Sequence, residues 1–125
     1  MSTTHDSKML TRVRDICMAF PEVTERLSHG APTWFIRDKK TFANLSEHGH
    51  HQNEFPHLWC AAEPGAQDLL VSTRPDRFFV PPYVGGRGWL GVRLDGRPNW
   101  EEIAELCEDA YCVVAPKTLV ARLRG

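Results

Sequence analysis

Residues 78–100 read Phe-Phe-Val-Pro-Pro-Tyr-Val-Gly-Gly-Arg-Gly-Trp-Leu-Gly-Val-Arg-Leu-Asp-Gly-Arg-Pro-Asn-Trp. The stretch reads as a strand, a glycine-rich reversal, a second strand, another turn and the start of a helix. Gly85, Gly86 and Gly88 supply the backbone freedom of a tight turn with Arg87 at its tip. Trp89, Leu90, Val92 and Leu94 make the second β-type run. With Trp89 turned inward, Gly91 and Arg93 share its face while Leu90, Val92 and Leu94 share the other, because side chains alternate along a strand. Both faces then carry apolar groups, so the spacing predicts a strand covered on both sides.

Downstream, Asn99-Trp100-Glu101-Glu102 has the form of a capping box, and Trp100, Ile103, Ala104, Cys107, Ala110, Tyr111 and Val114 form an apolar stripe at helical spacing. The outer face of this helix is acidic. After Pro116, residues 117–123 are expected to form a short terminal helix. Upstream, Met9, Leu10, Val13, Ile16, Cys17 and Phe20 predict a first helix over 7–20, capped by Asp6 and stopped by Pro21. Between them lie a weak strand at 24–28, a hairpin of 33–36 and 41–45 with a charged tip at 37–40, and a polar connection over 46–56. A strand at 58–62 and a short helix at 67–72 complete the order. The expectation is one α+β domain over 1–125, an antiparallel sheet of about five strands packed by N-terminal and C-terminal helices.

Length and composition suit one core: 125 residues, 42% hydrophobic, 25% charged and a net charge of -1. No global charge calls for nucleic acid, but residues 71–99 carry five arginines against two aspartates, so a local basic surface is open to the fold. The polar first eight residues and the lack of a long apolar run lead to the expectation of a cytoplasmic protein with no membrane partner. Cys17, Cys60, Cys107 and Cys112 show no CxxC spacing and read as reduced, mostly buried thiols.

Catalytic patterns are thin. His48, His50, His51 and His57 cluster, but in a polar loop without metal-site spacing, so they read as solvated residues and no cofactor or metal is expected. Cys60 follows His57 by three residues, which places the pair on opposite faces of a strand. Gly85-Gly86-Arg87-Gly88 joins two strands instead of opening a helix, unlike a phosphate loop. No enzyme is expected.

Two stretches nevertheless resemble the MmcQ/YjbR family. One is Ser28-His29-Gly30-Ala31-Pro32-Thr33-Trp34-Phe35 with Lys39-Lys40-Thr41-Phe42-Ala43. The other is Arg77-Phe78-Phe79-Val80-Pro81-Pro82-Tyr83 with Arg87-Gly88-Trp89-Leu90-Gly91-Val92-Arg93-Leu94-Asp95. The resemblance spans nearly the whole chain and implies a secretion-chaperone-like, frataxin-reminiscent α+β domain. It further implies a bacterial setting and the family's DNA-binding label, with β-hairpins as paired wings. Where the family often carries asparagine-lysine, this chain has Gly86-Arg87, which keeps the charge and loses the amide. The expected function is weak, non-enzymatic binding of double-stranded DNA through Arg74, Arg77, Arg87, Arg93, Arg97, Lys39 and Lys40. The rival expectation is an adaptor for a protein partner or a small ligand, using the sheet face or the acidic helix.

Overall fold

In the computed structural model, which describes residues 7–49 and 53–125, helix α1 (Lys8–Met18) leads the chain. Its N-cap is Ser7, whose hydroxyl accepts from the Leu10 amide at 3.0 Å and donates to the Glu47 carboxylate. Asp6, expected in that role, lies outside the described residues. Leu10, Val13 and Cys17 are buried along one stripe, as the helical spacing requires.

Six strands follow in one sheet: β1 (Val23–Ser28), β2 (Ala31–Ile36), β3 (Lys40–Ser46), β4 (His57–Cys60), β5 (Phe78–Phe79) and β6 (Leu90–Arg93). The spatial order is β1-β2-β3-β4-β6-β5, with every neighbouring pair antiparallel. The sheet is thus α+β in class, with one strand more than the sequence suggested. The weakest candidate, 24–28, is a complete edge strand paired along all six residues with β2. Its charges, which obscured it, are engaged: Glu25 accepts from Arg14 at 2.8 Å and from the Trp34 indole at 3.0 Å. Arg26 lies 3.8 Å from the Phe35 ring centre and bonds Asp38.

Helices α1 and α3 (Trp100–Val114) pack on one face of the sheet, and α2 (Ala66–Thr73) and α4 (Lys117–Arg124) complete the set. Trp34, Phe42, Leu45, Leu58, Leu90 and Val92 point into this layer and are buried. Burying such side chains stabilises the fold by about 1.5–3 kcal/mol each relative to exposure. Strict alternation would turn Phe42 away from Ala43. The register instead shifts between Trp34↔Ala43 and Phe35↔Thr41, leaving Phe42 as the extra residue of a bulge, so both face the helices. Phe42 then meets Tyr111 edge-on with ring centres 5.6 Å apart, and Phe20 completes the cluster at 5.2 Å from Tyr111.

Two local expectations change. The reversal between β5 and β6 is not a tight hairpin turn. After two paired residues Pro81-Pro82 leads the chain off the sheet, and a 3-10 turn at Gly85–Arg87 brings it back. Asn99 does cap α3, accepting from the amides of Glu101 and Glu102. Glu102, however, does not close a capping box; its carboxylate holds Arg74 in a two-pronged pair. Among the described residues no helix is long and apolar enough to cross a membrane.

Candidate ligand groove on the open sheet face

The face of the sheet opposite the helices carries a groove of about 630 Å³. Its floor follows from register. Thr33, Asn44, Trp59, Gly91 and Phe79 are successive cross-strand partners, so they form one row on this face. Ser46, His57 and Arg93 form the next row. Trp89, Gly91 and Arg93 share the face and Leu90, Val92 and Leu94 the other, as the alternation predicted.

Segment 80–88 makes the wall. Tyr83 takes a left-handed backbone (φ 67°), Gly88 another (φ 83°), and Tyr83, Val84 and Arg87 line the groove. The wall is fastened from α2: the Gln67 side-chain amide donates to the carbonyls of Gly85 at 2.9 Å and Trp89 at 2.6 Å. Arg87 is exposed, with its guanidinium 5.4 Å from the Trp89 ring centre.

Sequence reasoning placed His57 in a solvated loop; the structure places it at the start of β4, 1% exposed. Its Nδ1 lies 2.9 Å from the Phe55 carbonyl, and since a carbonyl only accepts, Nδ1 carries the proton. The rings of Phe55, Trp59 and Phe79 surround it, with centres 5.4 to 5.7 Å away. His48 is exposed, while His50 and His51 lie outside the described residues. Among the described residues no three histidine, cysteine or acidic side chains are arranged to hold a metal ion. Cys60 is on the helix side of β4, turned away from His57, and burial pushes its thiol well above the ordinary 9.0.

Three of the five hairpin-region arginines are consumed by the fold. Arg74 is held by Glu102. Arg77 donates to the backbone carbonyls of Arg93 at 2.7 Å and Asp95 at 3.0 Å. Arg93 pairs with Asp95 at 2.7 and 3.0 Å and lies 4.0 Å from the Phe55 ring centre. Arg37, at the charged tip, is paired with Glu22 at 2.7 Å. Among the described residues Arg87, Arg97, Lys39 and Lys40 are exposed and enter no ion pair. They do not converge. Lys39 sits in the β2–β3 turn and Lys40 opens β3, at the end of the sheet where Arg87 leads into β6, whereas Arg97 follows the other end of β6.

What sequence reasoning missed is the polar floor. Thr33, Thr41, Asn44 and Ser46 face the groove. The period-2 pattern of 41–46 would have shown them, had the Phe42 bulge not broken it. No carboxylate is among the described residues lining the groove; Arg87, His29 and His57 are its ionisable nitrogen side chains.

An antiparallel sheet with helices on one face and a polar-floored, aromatic-walled groove on the other defines an α+β sheet-face module. The YjbR family model matches residues 18–113, and the chain belongs to that family. The fold is similar to the crystal structure of Deinococcus radiodurans protein DR2400, with family-model domain DUF419. The TM-score is 0.70 at 18% identity, over 90% of this chain and 85% of that one. No curated protein matches.

Proposed function

We propose that this protein is a non-enzymatic binding module that takes a small anionic ligand in the open-face groove, with Arg87 as the anchoring cation. One observation carries the reading: among the described residues, the groove combines a guanidinium outside any ion pair with a lining that has no carboxylate, inside a volume suited to a small molecule. Arg87 keeps its charge at any ordinary pH and presents a planar fork to a carboxylate or phosphate. The test is a fragment screen by amide and side-chain NMR with anionic, neutral and cationic aromatic fragments. The expected result is saturable shifts at Asn44 and Arg87 with the anionic set, lost in Arg87→Ala. Equal shifts from all three charge types would overturn the reading.

Duplex DNA is the second reading, favoured by Lys39, Lys40 and Arg87, which among the described residues enter no ion pair and stand at one end of the sheet. Three phosphate contacts correspond to a log–log salt slope of about -2.7. Binding to a random duplex should follow that slope and lose roughly one unit for each of these cations replaced by alanine. A slope near zero would remove the duplex reading and leave the groove reading untouched.

A further inference from the structure

The groove floor specifies more than charge. Three hydroxyls there spend their one proton on the protein: Thr33 donates to the Ala31 carbonyl at 2.9 Å, Thr41 to the Trp34 carbonyl at 3.1 Å and Ser46 to the Gly49 carbonyl at 3.1 Å. A hydroxyl that has donated can only accept, so these three oxygens offer lone pairs to a ligand. Asn44 lies between Thr33 and Trp59 in the cross-strand row, and its amide makes no hydrogen bond among the described residues. It offers one acceptor oxygen and two donor hydrogens in a single plane. The floor therefore complements a flat edge that carries donor hydrogens beside a ring acceptor. The walls are aromatic, and Arg87 is the fixed positive charge.

We infer that the groove takes an amino-substituted nitrogen heterocycle bearing a phosphate, the chemistry of an adenine nucleotide. This rests on the anionic-ligand reading above. Asn44 reads the edge by a paired donor and acceptor contact, as asparagine does with the N6 and N7 of adenine. The hydroxyl oxygens of Thr33 and Thr41 favour an exocyclic amino group over a carbonyl, because a carbonyl there would face lone pairs. Trp59 and Tyr83 line the groove beside the heterocycle, and Arg87 takes the phosphate.

The probes are adenosine 5′-monophosphate, inosine 5′-monophosphate, adenosine and the single-stranded tetramer of adenylate, titrated against the full chain by tryptophan fluorescence and calorimetry. The inference requires AMP to bind at least about tenfold tighter than adenosine, the worth of one charge-assisted contact. It also requires AMP to bind at least about tenfold tighter than IMP. Arg87→Ala should erase the AMP-to-adenosine difference while leaving adenosine binding in place; Asn44→Ala should erase the AMP-to-IMP difference. Both side chains are outside the core, and an unchanged thermal midpoint confirms that the variants fold. Tighter binding of the tetramer than of AMP would assign the nucleotide to a strand, and equal or weaker binding would assign it to free nucleotide. If aromatic carboxylates occupy the groove and no nucleotide does, the inference fails while the anionic-ligand reading stands. If neither class binds, both fail.

Discussion

Arg93 and Asp95 are two residues apart at the end of β6, and their side chains close a two-pronged ion pair at 2.7 and 3.0 Å. Arg93 also covers the Phe55 ring, and Arg77 bonds the backbone carbonyls of both residues. The pair is a clasp on the end of the strand. Each side chain keeps about a third of its surface exposed, so water screens the attraction.

Arg93→Ala should accordingly lower stability by only about 1 kcal/mol, the ion pair and the ring contact together. Urea unfolding measures it. Groove binding by Arg93→Ala should stay within twofold of wild type, in contrast to Arg87→Ala. A loss of ligand binding as large as that of Arg87→Ala would reject the structural assignment of Arg93.

Acid should weaken the fold through two carboxylates. Hydrogen bonding from Arg93 holds Asp95 below its ordinary 3.8, and hydrogen bonding from Arg37, helped by Arg122, holds Glu22 below 4.5. Both are depressed in the folded chain, so their contribution is complete above those ordinary values and is lost as pH falls through the lowered ones. Urea midpoints measured from neutral pH down to about 2 should fall in that acid window, and less steeply in Glu22→Gln with Asp95→Asn. An unchanged slope in the double variant would show that other groups carry the acid response.

The Phe79 ring occupies the space over Gly91: a Cβ built at 91 would sit 2.5 Å from its ring carbons. Phe55 and His57 hold that ring in place, at centre distances of 5.3 and 5.4 Å. Gly91→Ala should therefore destabilise by about 1–3 kcal/mol, an overpacking cost. Combining it with Phe79→Leu should cost less than the sum of the two single changes, since they share one space. Strict additivity in denaturant titrations would contradict the contact.

Tyr111 is fully buried, and its hydroxyl donates to the Pro21 carbonyl at 2.8 Å, tying α3 to the link between α1 and β1. Tyr111→Phe keeps the aromatic cluster and strands the carbonyl, at a cost of about 1–2 kcal/mol. Thermal unfolding should register that loss with the fold intact; a neutral result would mean that water replaces the bond.

The thiols should separate by burial. Cys17, Cys60 and Cys107 are buried, whereas Cys112 is partly exposed. A hydrogen bond with Cys17, together with burial, raises the Cys107 thiol well above 9.0. A disulfide exchange reagent should modify Cys112 first and the other three only on unfolding. Equal rates for all four in the native protein would contradict this packing.

Much of the architecture was legible from local pattern. The stripes of α1 and α3, the Asn99 cap and the alternation of β6 are all written within a few residues of one another, and backbone geometry converts such spacing directly into a buried face. The edge strand β1 was legible only as a weak candidate, because the charges of Glu25 and Arg26 find their partners Arg14, Trp34 and Asp38 only when the fold brings these alongside. The family motifs contain Thr33, Thr41, Tyr83, Arg87 and Trp89 of the groove but not Asn44, Ser46, His57 or Trp59, and they did not separate structural arginines from available ones.

The chain's own spacing established an α+β sheet with helices and put Trp89 and Leu90 on opposite faces. Tertiary structure decided which cations remain for a ligand. Arg74 is paired with Glu102, 28 residues away, and Arg77 is tied down by hydrogen bonds to backbone carbonyls 16 and 18 residues away, whereas among the described residues Arg87 stays without an ion pair beside the groove. Periodicity encodes burial because it is a property of one element's geometry. The partner of a long charged side chain is set by which elements the fold brings within hydrogen-bonding distance, and that distance is not written along the chain.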